Sequence, residues 1–159
     1  MTTATAPREV AARVCDPELP VLTIDDLGVL RDVTVDADGT VEVTITPTYS
    51  GCPAMEAIRS DVETALHGAG YADVRVRTVL RPAWSTDWIS AEGRRKLEEF
   101  GIAPPGPVRG GPVPVALGVR CPRCGSLDTR MTSRFGSTAC KALYVCRACA
   151  EPFDAVKAL

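Results

Sequence analysis

The sequence predicts an α+β protein, a small α-β-β-α-β-α domain followed by a C-terminal zinc ribbon, and three observations predict it. Over about the first hundred residues, apolar positions switch between alternation and helical spacing, as mixed strands and helices require. From Ala103 to Gly118 nine of sixteen residues are Pro or Gly, and both patterns stop. Beyond that break, Cys121-Pro-Arg-Cys124 and Cys146-Arg-Ala-Cys149 form two C-x-x-C pairs separated by 21 residues. The expected domains are therefore 1–103, a linker at 104–118 and a ribbon at 119–159. Proline density makes the linker a semi-rigid extended spacer.

Pro7 through Val14 reads as a short helix, with Val10 and Val14 on one face, ended by the Asp16-Pro17 step. The chain then turns through DPELP. Val29–Asp36 and Val41–Thr46 alternate about the DADG turn and predict a β-hairpin, with Val41, Val43 and Ile45 inward and Glu42, Thr44 and Thr46 outward. Ala54–Leu66 carries Met55, Ile58, Val62, Ala65 and Leu66 at helical spacing and stops near Gly68 and Gly70. Val74 and Val76 alternate with Arg75 and Arg77 in a third strand. A last helix over Thr86–Phe100 aligns Ile89, Gly93, Leu97 and Phe100, with Trp84 and Trp88 expected in the core.

Composition limits the function classes. Hydrophobic residues make up 45% of the chain, enough for a packed core. The 18 basic and 20 acidic residues lack the surplus of a general phosphate-backbone binder, so nucleic acid is not an expected partner. The charge is uneven: residues 1–115 hold 11 basic and 17 acidic groups, and residues 116–159 hold 7 and 3. Arginines offsetting four metal-bound thiolates account for the second sign, because Zn²⁺ cancels only half of that charge. A single histidine, His67, leaves little material for His-based catalysis. Seven cysteines, an odd number with two C-x-x-C pairs, fit a reducing cytoplasm better than a disulfide framework. With no stretch near the roughly 20 apolar residues that span a bilayer, no membrane association is expected.

Chemistry concentrates in the cysteines. Cys121, Cys124, Cys146 and Cys149 supply the four sulfurs of a closed tetrahedral site, the usual arrangement of structural zinc, with a rubredoxin-like iron centre or a transferable cluster as alternatives. The ribbon has so little apolar mass that metal binding supplies much of its folding free energy. Cys52 stands where a strand gives way to a helix, facing unpaired N–H groups that favour a thiolate nucleophile or ligand. A small buried hydrophobe would suit the same place. Asp16 and Glu18 are either a turn-forming Asp-Pro with a solvated Glu, or oxygen ligands if their loop folds against Cys52. Cys140 lies outside the C-x-x-C pairs, as a structural cysteine, a spare fifth ligand or an exposed contact residue.

The strings DPELPVLTIDDLGVLRDV, TPTYSGCPAMEAIRSDVETAL and VRVRTVLRPAWSTDWIS, in this order, resemble the small iron-sulfur-assembly domain family of SufT-type and MIP-eighteen proteins over residues 8–103. With CPRCGS and FGSTACKALYVCRACAEPF appended, the chain resembles the PaaD-type accessory subunits of the phenylacetyl-CoA epoxidase (phenylacetate-CoA oxygenase) complex. The resemblance implies converging Cys52 and D-P-E loops and a non-catalytic role in providing iron-sulfur or iron centres to client proteins. The clients implied are the [2Fe-2S] reductase first and the di-iron oxygenase subunit second. It makes Cys52 the ligand of a transient cluster or iron, with Asp16, Glu18 and Thr48 beside it. One thiolate is too few for a stable cluster, so ligation is expected to be completed by the carboxylates, a small thiol, a client residue or a second copy in a homodimer. The chain departs from many relatives in carrying Asp25 before Asp26-Leu27-Gly28. Two other functions stay open: a stoichiometric subunit of the oxygenase, and a nucleic-acid-binding ribbon.

Overall fold

Proline at the first turn opens α1 (Pro7–Ala11) in the computed structural model of the chain, which describes residues 5–108 and 118–159. The helix is shorter than its sequence pattern, because Arg13 and Val14 donate to Val10 and Ala11 in a tightening turn. Asp16 then organises the DPELP turn: its Oδ1 accepts the backbone N–H groups of Glu18 and Leu19, each at 2.8 Å. Beyond it, an antiparallel bridge pairs Cys15 with Thr23.

The hairpin of β1 (Leu30–Val35) and β2 (Val41–Ile45) is antiparallel, and β3 (Val74–Thr78) joins β2 in parallel, giving the order β1-β2-β3. A parallel partner demands a crossover, which α2 (Ala54–Gly68) provides. Its buried stripe of Ala54, Ile58, Val62 and Leu66 joins Val41, Val43 and Ile45 in the core. The ladder to β2 uses the carbonyls of odd-numbered residues, starting with Asp73 just before β3, so Val76 turns its carbonyl away from the sheet. Arg59 of α2 occupies that carbonyl through Nη1 at 2.9 Å. Thr46 departs from expectation: it is 1% exposed, and its Oγ1 has no hydrogen-bond partner among the described residues.

The expected last helix is interrupted. Thr86–Trp88 is a 3₁₀ turn, and α3 (Ala91–Glu99) starts afresh because the Ser90 hydroxyl accepts the Gly93 N–H at 2.9 Å as an N-cap. Phe100, past the last helical residue, is 66% exposed, whereas Ile89 and Leu97, in the same sequence pattern, are each buried. Trp84 is buried as expected, whereas Trp88 is half-buried beneath the Arg31 guanidinium, 3.8 Å from its ring centroid.

Two compact units result, Met1–Trp84 with Trp88–Gly93, and Ser85–Asp87 with Arg94–Leu159. Residues 94–103, expected in the first domain, thus fall in the unit of the ribbon. There, β4 (Ile102–Ala103) pairs in parallel with β7 (Pro152–Val156). With β5 (Thr129–Ser133) and β6 (Lys141–Cys146) they form a sheet of order β4-β7-β6-β5. Of the expected linker, 109–117 lies outside the described residues. Among the described residues no helix is long and apolar enough to cross a membrane.

Candidate metal centre and cysteine loop

Each C-x-x-C pair closes a knuckle. In the first, Gly125 donates to the Cys121 carbonyl at 2.9 Å and Cys121 donates to Ser126, which turns the chain back over its own thiols. In the second, the Cys146 N–H reaches Glu151 at 2.9 Å. The residue after each second cysteine is left-handed, Gly125 at φ 76° and Ala150 at φ 61°. Glycine adopts that conformation freely, and alanine does so at a cost of roughly 1–2 kcal/mol.

The knuckles bring four Sγ atoms within 4.8 Å of one another, with Cys121 to Cys149 at 3.8 Å and Cys124 to Cys146 at 3.6 Å. A tetrahedron with metal–sulfur bonds of ~2.3 Å has edges of ~3.8 Å, so the donor set fits one tetrahedral metal ion. Cys121 and Cys146 are buried beside Ala103, Phe153 and Ala155, and Cys124 and Cys149 are exposed. Without a cation the thiols separate electrostatically. Backbone N–H groups of Cys149 and Ala148, with the side chain of Cys124, draw Cys146 down to about 7 against its desolvation. Cys149 is held down by the Glu151 N–H, but desolvation of its sulfur and the crowded thiols of Cys124, Cys146 and Cys121 outweigh it and push it up to about 12. A bound cation removes that mutual repulsion.

Cys52 stands two residues before α2, in the loop that leaves β2. Gly51 at φ 82° turns the chain, Cys52 donates to the Tyr49 carbonyl at 3.3 Å, and no side chain caps the helix. The Thr48 hydroxyl approaches the half-buried Cys52 Sγ at 3.9 Å, so these two predicted site residues are brought together. A cleft of about 250 Å³ between Pro47–Ser50 and Leu80, Ala83 and Trp84 adjoins the loop. Asp16 is buried with its carboxylate engaged in its own turn, and Glu18 is half-buried. Backbone hydrogen bonds lead from this turn to the end of β2: Asp16 to Leu22, Ile24 to Val14, Val29 to Ile24 and Thr46 to Val29. Among the described residues, Cys52, Asp16 and Glu18 do not form a group close enough to share one metal ion; the four ribbon thiols do. Cys140 stands outside that group, with its Sγ 3.1 Å from the Thr138 hydroxyl.

A second constellation holds the Asp26-Leu27-Gly28 turn, which sequence reasoning misses apart from Asp25 beside it. Thr23 and Asp26 exchange side-chain-to-backbone hydrogen bonds at 3.0 and 3.1 Å, a reciprocal box whose T-x-x-D spacing is a readable signal. The Asp26 carbonyl accepts the Ser90 N–H, and Trp84 Nε1 donates to Leu27 at 2.8 Å. Gly28, at φ 72°, lies so close to Trp88 that a Cβ would stand 2.7 Å from that residue's own. Asp25 itself is exposed, in an ion pair with Arg8 at 3.4 Å.

Comparison with known proteins connects both halves of the chain. Residues 8–78 match the family model for iron-sulfur cluster assembly proteins, and residues 109–157 match the PaaD zinc β-ribbon domain. The chain is 48% identical over 149 residues to an Escherichia coli protein named as a putative subunit of 1,2-phenylacetyl-CoA epoxidase, covering 93% of this chain and 88% of that one. It is 39% identical over 85 residues to a Porphyromonas gingivalis Fe-S protein maturation auxiliary factor, covering 53% and 80% of the two chains. A crystal structure of a domain of unknown function (DUF59) from Bacillus anthracis superposes with a TM-score of 0.53 at 32% identity, over 57% of this chain and 87% of the other. The resemblance read from the sequence is thereby confirmed in both halves: the chain belongs to the PaaD-type family of phenylacetyl-CoA epoxidase subunits, with an iron-sulfur-assembly domain followed by a PaaD zinc β-ribbon.

Proposed function

We propose that the chain is a non-catalytic accessory protein of a cytoplasmic phenylacetyl-CoA epoxidase system, and that it provides or maintains the iron-sulfur or iron centre of a partner, the [2Fe-2S] reductase in particular. The observation that carries this is the joining, in one chain, of an iron-sulfur-assembly domain to the ribbon of an epoxidase subunit family. The two halves divide the work. The ribbon thiols hold a zinc ion that supplies folding free energy to a unit with a small apolar core. Cys52 handles the cargo, with the Thr48 hydroxyl beside its sulfur and the Asp16 and Glu18 turn tied to the same end of the sheet through backbone hydrogen bonds. A single thiolate releases what it holds more readily than a closed four-thiolate set, which suits transfer. The remaining ligands come from the client or from a second copy of the chain.

The test is the iron and acid-labile sulfide content of the reductase, produced beside the wild-type chain or beside Cys52→Ser. Loss of both with the serine variant is expected, and a fully loaded, fully active reductase would sink the proposal. The name of the Escherichia coli relative, an epoxidase subunit, favours one other reading, a stoichiometric component needed for turnover itself. Purified epoxidase running at full rate without the chain excludes that reading.

A further inference from the structure

The ribbon sheet carries a second feature beside the metal centre, and it shares Ala155, Tyr144 and Val119 with the apolar cluster around Cys121 and Cys146. Ala142 of β6 and Ala155 of β7 are paired in register, and two small side chains side by side leave a depression in the sheet face. Tyr144, Val119, Met131 and Phe135 stand around it and complete a groove of about 550 Å³. Phe135 is 71% exposed and Met131 45%, an unusual outlay of apolar surface for a ribbon whose core is so small. Two cations lie on the rim. Arg134 makes no ion pair among the described residues, and Lys157 faces no carboxylate: its ammonium lies 4.7 Å from the Phe135 ring centroid and donates to the Ala139 carbonyl. By contrast, two of the arginines near the knuckles, Arg123 and Arg147, are matched by Glu151 and Asp128.

We propose that this groove is the client-docking surface of the chain, taking a protein segment that places apolar side chains against Met131 and Phe135 and carboxylates against Arg134 and Lys157. An apolar floor with unpaired cations at its rim selects that chemistry: burial supplies the affinity, and the charges set orientation and reject basic segments. The inference rests on the accessory-protein reading and separates recognition, on the ribbon, from cargo handling, at Cys52.

The experiment measures binding of the zinc-loaded full chain to the purified reductase and to the purified oxygenase component, together with cluster loading of the reductase. Phe135→Ser with Met131→Ser, and separately Arg134→Glu with Lys157→Glu, should each weaken binding about tenfold or more, the usual loss when an interface anchor goes. The charge-reversed variant should also lose the salt dependence of binding. These residues line or rim an open surface, and an unchanged zinc content shows that the variants are folded. Cys52→Ser should bind like the wild type and fail to load. Binding undiminished by the groove variants overturns the proposal, as does absence of binding to either component. Groove variants that alter only self-association, or only the hydrogen exchange of residues 109–117, assign the groove to a second copy or to the chain's own segment and overturn it too. Full loading by Cys52→Ser with docking still groove-dependent would instead remove the cargo proposal and leave the docking surface standing.

Discussion

The first unit is built by packing, and the second is built around four sulfurs. In the first, Leu22, Ile24, Ile45, Ile58, Leu66 and four fully buried valines fill one interior from β2, the crossover helix and the segment before β1. In the ribbon, the buried cluster is Ala103, Phe153 and Ala155 with two of the thiols themselves. Side-chain area of that size stabilises by only a few kcal/mol at ~25 cal/mol per Å², whereas apparent zinc binding free energies for small ribbons reach ~10–16 kcal/mol. The two therefore fail differently. A packed core loses stability in increments as methylenes are removed, and a metal-built unit loses it at one step when a ligand goes.

Removing the metal should separate the two units most widely. Chelation, or Cys121→Ser, should abolish the dispersed amide resonances of residues 118–159 and leave those of the first unit in place. If both units melt together, the division into a packed and a metal-built half is wrong. The reciprocal change is Ile58→Ala in the 1%-exposed middle of α2. It should cost the first unit about 2–5 kcal/mol in denaturant unfolding, with zinc content unchanged.

The four ligands are not equivalent, which gives a finer test. Protons compete with the metal for thiolates, so zinc retention falls as pH falls. Backbone N–H groups draw the Cys146 thiol down, whereas desolvation of its sulfur and the neighbouring thiols push Cys149 up, so the amide-held Cys146 is the ligand whose loss should weaken zinc binding most. Cys146→Ser should therefore release zinc to a chromophoric chelator at a higher pH than Cys149→Ser, and the opposite order would contradict the assignment. The smallest effect concerns the knuckle corners. Ala150→Gly relieves a left-handed alanine and should raise ribbon stability by about 1 kcal/mol or less in denaturant unfolding, because glycine's extra freedom in the unfolded chain offsets part of the gain. The matching change at Gly125, to alanine, should lower it.

Much of this was legible in the residues. Alternation in Val41–Ile45 and the three-to-four spacing of Ile58, Val62 and Leu66 marked β2 and α2, and the C-x-x-C pairs marked the metal centre. What escaped depended on tertiary context. The period through Ile89, Gly93 and Leu97 ran across Ser90, whose hydroxyl restarts the helix, and a serine before Ala-Glu-Gly was the available signal. Thr46 continued an outward-facing series, and no local pattern says that its end of the sheet is covered. Residues 94–103 cluster with the ribbon's unit, and the strand they contribute, Ile102–Ala103, is too short to leave a period. Ala150 broke the rule that left-handed positions advertise themselves by glycine, although the first knuckle carries Gly125 at the corresponding place.

The guanidinium of Arg59 on the Val76 carbonyl bears on how copies of this domain can associate. Open sheet edges are templates for another strand, and this one is already occupied by a charged donor from the chain's own crossover helix. A strand adding beside β3 would first have to displace a charge-assisted hydrogen bond, at a cost of about 1.5–3 kcal/mol. The opposite edge, β1, is guarded too: the outward-facing Val33 N–H is taken by the Asp32 carboxylate at 2.9 Å, and the register shifts between Leu30 and Asp32. Both edges of the assembly-domain sheet are therefore closed by the chain's own side chains, a guanidinium on a carbonyl at β3 and a carboxylate on an N–H at β1, and neither is a ready template for a strand from another copy or from a client.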